Sequence, residues 1–319
     1  MNELYQKFQQ MDELLKEAKT VLVAAHENPD PDAVSSVLTL HYVLKKQNIN
    51  SLPYLPDAPS KNLSYLSGFF EIQNEVGSLN PDLLICLDYG DFKRLRIPTP
   101  LCSGKIITID HHIESDQRGD VKILEPHFSS TAEIIYHWLK YKNIPINKDI
   151  ATCLLTGIIS DSGGFRHVST SSKTLNIVSE LLLKGVSLNR IISRTLISGK
   201  SLNISQAWGE VLSKTQVDPK TNLAYSWLGA DDFKRLKVKL IDFDGITNII
   251  SAASLANLGL FLVEYEKGKI KGSLRSEPSG GRDVVKTAKS LGGGGHQYAA
   301  GFQQEGNIEE VLKKVLKLV

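Results

Sequence analysis

The sequence has little of what would staple, anchor or coat something. Only three cysteines occur in 319 residues, Cys86, Cys102 and Cys153, and none forms a CxxC pair. That argues against a disulfide scaffold and against a thiolate zinc site. No apolar run approaches the roughly 20 residues that span a bilayer; the longest, around residues 153–159 and 258–263, are far shorter. The first residues mix Glu3, Asp12, Glu13 and Glu17 with lysines and show no apolar signal core, so a cytoplasmic protein with no membrane association is expected. A dominant charge is missing as well. Lys plus Arg (37) against Asp plus Glu (35) leaves +2, too balanced for a protein that coats nucleic acid. Residues 1–203 carry 21 basic and 22 acidic side chains and the remainder 16 and 13, a mildly basic second part that suits an anionic ligand. What is present is ordinary globular composition, 41% hydrophobic and 23% charged, at about twice the usual length of one domain. Two domains are expected.

Residues 3–18 show helical spacing in Leu4, Phe8, Met11, Leu14 and Leu15. An aliphatic run, 20–25, then stops at His26-Glu27-Asn28-Pro29-Asp30, which reads as a buried strand entering a turn, with a helix following over 33–45. The pattern recurs where 83–87 runs into Asp88 and 105–109 runs into Asp110-His111-His112. Short unbroken apolar strands separated by helical stretches predict a parallel sheet covered on both faces, with its polar residues beyond the strands' carboxyl ends. The apolar stretch 149–160 fits helix or strand equally and ends at Asp161-Ser162-Gly163-Gly164; helical spacing resumes over 172–184.

The expected division is an α/β parallel-sheet domain over 1–185, a polar connector over 186–203 and a smaller α/β domain over 204–319. The smaller domain reads as strands 223–228, 260–265 and 270–275 with an antiparallel portion, and helices near 283–291 and 308–318 around Gly292-Gly293-Gly294-Gly295-His296.

Several polar groups would meet at one edge of the first sheet. His26, Asp30 and Asp32 offer one imidazole and two carboxylates within seven residues, a donor set suited to Mn²⁺ or Mg²⁺, although a solvated Asp-rich turn explains them too. Asp88 alone reads more readily as a helix cap than as a ligand. Asp110-His111-His112 is stronger, because adjacent histidines on an extended chain point to opposite sides, so one can bind metal while the other faces substrate. Asp161 adds another carboxylate. So many carboxylates repel one another without compensating charge, and two divalent ions sharing a bridging carboxylate resolve the conflict.

His-Glu-Asn-Pro-Asp-Pro-Asp, the isolated Asp88, Asp110-His111-His112 and Asp161 resemble the four motifs of the DHH phosphoesterase superfamily. Arg275-Ser276, Gly292–His296 and Ala299-Ala300-Gly301 resemble the DHHA1 domain that accompanies it. Length and motif order are similar to the short subfamily of NrnA-like oligoribonucleases and pAp phosphatases. The resemblance implies an active site in the cleft between the two domains. It implies one manganese on His26, Asp30 and Asp88, and a second on Asp32, Asp88, His111 and Asp161. Mg²⁺ or Co²⁺ could substitute. Asp110 would hold a histidine in its tautomer and His112 would face the scissile phosphate. Arg275, Ser276, Gly294 and His296 would grip the 3′ side of a very short substrate.

Two departures from the family pattern stand in the first motif. Pro31 replaces a usual glycine and would shift Asp32 if a positive φ were needed there. Ser35-Ser36 replaces a common Gly-Ser pair. Lys271 and Arg282 fit a solvated basic face as well as a ligand contact. Arg94 and Arg166 fit either phosphate contacts or salt-bridge partners. Ser129–Glu133 resembles a family segment near the active site and also reads as a capping box built on Ser130 and Glu133.

The expected activity is Mn²⁺-dependent hydrolysis of short oligoribonucleotides, dinucleotides such as pApA, and 3′-phosphoadenosine 5′-phosphate. Its rivals are a cyclic-dinucleotide phosphodiesterase, a polyphosphatase or pyrophosphatase, and a nucleotide-binding regulator without turnover. No obligatory protein partner is expected, and a homodimer is compatible with the sequence.

Overall fold

The computed structural model describes residues 2–77, 79–99, 101, 104–112, 118–197, 202–243, 245–253, 258–276 and 282–319, without the side chains of Ile197 and His296. Cys102 and part of the expected connector lie outside the described residues. The chain divides into two compact units at residue 199.

The first unit is built on a five-stranded parallel sheet of β1 (Thr20–Ala25), β2 (Asn50–Tyr54), β3 (Leu83–Leu87), β4 (Lys105–Asp110) and β5 (Val121–Leu124), in the order β2-β1-β3-β4-β5. Alternate residues of the strands face opposite sides, and the two sides have different covers. Val21, Val23, Ala25, Leu83, Ile85, Leu87, Ile107 and Ile109 face a single apolar core. That core is shared with helices α1 (Asn2–Glu17), α2 (Pro31–Lys46), α3 (Thr131–Tyr141), α4 (Lys148–Asp161), α5 (Ser172–Leu182) and α6 (Leu188–Ile192). Each fully buried aliphatic side chain there contributes about 1.5–3 kcal/mol. Leu22, Ala24, Leu84 and Cys86 point the other way, onto Tyr54, Tyr89, Phe92 and Leu95. The expectation of a sheet covered on both faces therefore holds, but the second cover is loop and short 3₁₀ turns, not helix. Among the described residues between β2 and β3 there is no α-helix that could supply one.

The order reverses at β1. Its successor β2 pairs on one side and β3 on the other. Such a switch point opens a crevice beyond the carboxyl ends of the two central strands. The stretch 149–160, which the sequence left open, is helical. Asp161 is consequently the last residue of α4 and does not follow a strand.

The second unit has a six-stranded sheet formed by β6 (Gln216–Val217), β7 (Leu223–Leu228), β8 (Leu258–Glu266), β9 (Lys269–Ser276), β10 (Gly294–His296) and β11 (Ala299–Glu305). Its order is β10-β11-β9-β8-β7-β6, antiparallel except for β7 and β8. Helices α10 (Val284–Ser290) and α11 (Ile308–Leu316) pack on one face; α7 (Leu202–Ser213), α8 (Ala230–Leu236) and α9 (Ile246–Ala252) pack on the other. No helix among the described residues is long and apolar enough to cross a membrane.

Candidate active site

The loop after β1 carries His26, Asp30 and Asp32 into the switch-point crevice. Asp30 caps α2, its carboxylate accepting from Ala33 N at 2.9 Å, and Pro31 occupies the first helical turn. A fixed φ and a missing N–H suit that position. Residue 31 has no positive φ, so Pro31 leaves Asp32 where the helix puts it. Asp32 is fully buried. Its oxygens accept from Thr131 N at 2.8 Å and Ala132 N at 3.1 Å, at the start of α3, and from Ser36 Oγ at 3.4 Å.

Asp88 ends β3 in the left-handed region at φ 52°, which a short polar side chain tolerates. This turn aims the next two N–H groups, of Tyr89 and Gly90, at Asp110 Oδ2, at 3.3 and 3.0 Å. Asp110 Oδ1 accepts from His112 N at 3.1 Å and from His112 Nδ1 at 2.7 Å.

Three overlapping groups result. His26, Asp30 and Asp88 form one; Asp32, His111 and Asp161 form a second; Asp88, His111 and His112 form a third. Within each group the donor atoms lie within 4.8 Å of one another. His26 Nε2 stands 3.7 Å from Asp30 and 3.9 Å from Asp88, and His111 Nε2 stands 3.6 Å from Asp88 and 3.3 Å from Asp161. Most of these separations are too long for hydrogen bonds and short enough for ligands of one cation. The electrostatics agree. Burial, followed by the Asp32, Asp30, Asp161 and Asp110 carboxylates, pushes Asp88 well above its usual range. Burial and then Asp161 and Asp30 do the same to Asp32. Asp161 is raised to about 7 by burial and by Asp30 and Asp110. Carboxylates this crowded need cations. The donor set and spacing are those of a divalent-metal site.

Asp110 behaves differently. Burial raises it, but its hydrogen bonds from His112 and Gly90 outweigh that and hold it at about 2. Its hydrogen bond in turn raises His112, whereas burial and the neighbouring His112 lower His111. The adjacent histidines differ in environment but do not part to opposite sides: their ring centroids lie 4.7 Å apart, and His111 Nε2 and His112 Nδ1 stand 3.6 and 3.5 Å from Asp88 Oδ1.

Residues 20–158 match the model of the DHH family, N-terminal domain, and residues 245–319 match that of the DHHA1 domain. The chain carries a DHH domain and a DHHA1 domain. The bifunctional oligoribonuclease and PAP phosphatase NrnA of Thermus thermophilus is 29% identical over 322 residues, covering 99% of this chain and 94% of the relative. The Bacillus subtilis protein of the same name is 25% identical over 285 residues, covering 88% of each. An exopolyphosphatase-related protein from Bacteroides fragilis superposes with a TM-score of 0.85 at 27% identity, covering 98% of this chain and 95% of that one.

Within the DHH domain, sequence reasoning missed the backbone N–H groups of Thr131 and Ala132 on Asp32, and Thr131 Oγ1, which donates to Asp88 at 3.3 Å. Ser130 caps α3 as expected, accepting from Glu133 N at 3.1 Å, but the Glu133 side chain accepts from Ser129 N and Oγ instead of closing a capping box. The cap, and the resemblance of 129–133 to a family segment near the active site, were the signals for where this donor pair stands. Arg166 donates from Nε to Gly163 O at 2.8 Å and forms no salt bridge among the described residues.

Within the DHHA1 domain, Arg275 in β9 and His296 in β10 are both backbone register partners of Ala299 in β11. Arg275 Nε donates to Asn248 Oδ1 at 3.1 Å, and Ser276 is buried, its N–H bonded to Tyr298 O at 3.0 Å. Two of the four consecutive glycines serve packing. A Cβ on Gly293 would collide with Gly301 O, and one on Gly295 would lie 2.5 Å from Ala299 O. Gly294 faces open space. The His296 side chain lies outside the described residues.

Proposed function

We propose that this chain is a divalent-metal-dependent phosphohydrolase that cleaves very short oligoribonucleotides, pApA among them, to nucleoside 5′-monophosphates and removes the 3′-phosphate from pAp. The observation that carries this reading is the meeting of two donor groups, from distant stretches of chain, around the buried Asp88. His26, Asp30 and Asp88 would hold one ion, and Asp32, Asp88, His111 and Asp161 the other. Two such ions, for which Mn²⁺ suits the mixed N/O donors, supply Lewis acidity toward phosphate and neutralise the carboxylates.

The protein's own groups do the rest. Asp110 accepts from His112 Nδ1 and keeps that imidazole protonated to higher pH, so its Nε2–H is able to protonate the leaving oxygen or to stabilise its charge. Thr131 and Ala132 fix Asp32 through their N–H groups, so this carboxylate needs no rearrangement on binding. Arg275, Ser276, Gly294 and His296 are assigned to the far, base-bearing end of the substrate, where imidazole and guanidinium stack on bases or fork to phosphate. The NrnA relatives support this substrate class.

A second reading, cleavage of phosphoanhydrides, is favoured by the likeness to the exopolyphosphatase-related Bacteroides protein. One assay separates them. Purified protein with Mn²⁺ is given pAp, pApA, an RNA length ladder and inorganic polyphosphate, beside Asp88→Ala. Fast turnover of pAp and pApA, lost in Asp88→Ala, is the expected result. Equal or faster hydrolysis of polyphosphate would replace this reading with the second.

A further inference from the structure

Arg94 is a cation at the candidate metal site with no counter-ion among the described residues. It lies in the 3₁₀ turn Phe92–Leu95, half-buried, and no carboxylate among the described residues comes within ion-pair distance of its guanidinium. This is unusual beside so many acidic side chains, because buried or half-buried guanidinium groups are normally paired. Its Nη1 donates to Tyr89 O at 3.1 Å, and its Nη2 lies 3.0 Å from His26 Nδ1.

The second contact is not a hydrogen bond in the metal-competent state. His26 turns Nε2 toward Asp30 and Asp88, so Nδ1 carries the proton, which it gives to Glu27 O at 2.6 Å. A protonated Nδ1 accepts nothing. Among the described residues, one of Arg94's five N–H groups is therefore satisfied and its charge is met by no carboxylate. The backbone fixes the residue in place: Glu27 N donates to Arg94 O at 2.8 Å, and Arg94 N donates to Asp91 O at 3.0 Å. The guanidinium is close enough to His112 to oppose that imidazole's protonation.

We propose that Arg94 receives a non-bridging oxygen of the substrate's phosphate, beside His26 and His112. This deepens the phosphohydrolase reading and rests on it. With the carboxylates neutralised by cations, the guanidinium adds positive potential where phosphate enters, and a fork of planar donors matches phosphate geometry better than an ammonium does. The residue is thus a substrate contact, whereas a purely structural Arg94 would act by holding the His26 loop.

The test separates these roles. In full-length Mn²⁺-loaded protein, Arg94→Ala, Arg94→Gln and Arg94→Lys are compared by Mn²⁺ titration, by calorimetric binding of AMP, and by kcat and KM for pApA. Gln keeps a donor for Tyr89 O should Ala fold poorly. The expected result is unchanged Mn²⁺ affinity, with AMP bound about tenfold to a hundredfold more weakly in Ala and Gln. KM should rise in parallel, and Lys should recover part of the loss. Weakened Mn²⁺ affinity with AMP affinity intact at saturating metal would overturn the proposal in favour of a structural role, as would no change at all. Wild-type protein that turns over neither pAp nor pApA would instead defeat the substrate reading, and AMP affinity in the variants would still decide for or against Arg94.

Discussion

Gly157, in the middle of α4, leaves no room between its Cα and the Asp32 carboxylate. A Cβ there would overlap Asp32 Oδ1 and stand 2.6 Å from Ala132 Cβ and 2.7 Å from Ser35 Oγ. Glycine inside a helix costs about 0.5–1 kcal/mol relative to alanine, and here it lets α2, α3 and α4 close around one carboxylate. Gly157→Ala should destabilise the protein by about 1–3 kcal/mol through overpacking, despite the gain in helix propensity. Because Asp32 must move, Mn²⁺ affinity should fall as well. Thermal melting and metal titration check the two effects, and a more stable variant with unchanged metal binding would contradict the packing argument.

The crowded carboxylates make a prediction about pH. Asp161 is raised from 3.8 to about 7, and Asp32 and Asp88 are raised too. A folded state that holds protons more tightly than the unfolded chain loses stability as pH rises from the unfolded pKa through the folded one. Without metal, Tm should therefore fall by several degrees between about pH 4 and pH 7. Saturating Mn²⁺ should restore it and release protons on binding, measurable by calorimetry in buffers of different ionisation enthalpy. A flat metal-free profile would show that these groups are not burdened as described.

His112 owes its raised pKa first to the hydrogen bond with Asp110. In Asp110→Asn the protonated imidazole should give up its proton at lower pH. The alkaline limb of the kcat profile should shift down with it. Mn²⁺ affinity should change less than the limb, because the Asn carbonyl oxygen still accepts from Tyr89 N and Gly90 N beside Asp88. An unshifted limb would remove His112 from the proton-donating role.

His296→Ala should spare the metal site and the thermal midpoint. Its effect is expected mainly on KM for pApA and on the preference for short over longer RNA. Loss of kcat alone, with length preference intact, would argue against a substrate grip at this end of the chain.

Much of the site was legible because its residues sit where strands stop. Apolar runs ending in His26, Asp88 and Asp110 mark carboxyl ends of parallel strands without any alignment. Asp161 was found by its chemistry while its setting stayed open, since a helix buried on most sides has no polar face and so no readable period. The edge strands β2 and β5, and β11 between β10 and β9, went unread, being short or broken by Pro53, Lys122 and Gly301.

By itself, then, the sequence determined the donor set, the α/β class and the two-part organisation, because composition and the alternation of apolar and polar runs are local. Only the tertiary structure decided which groups stand close enough to hold an ion, that Asp110 serves His112, that the start of α3 clamps Asp32, and that Arg94 has no counter-ion among the described residues. All but the Asp110–His112 contact depend on distances between residues tens of positions apart, and such distances exist only after the sheet has set its strand order.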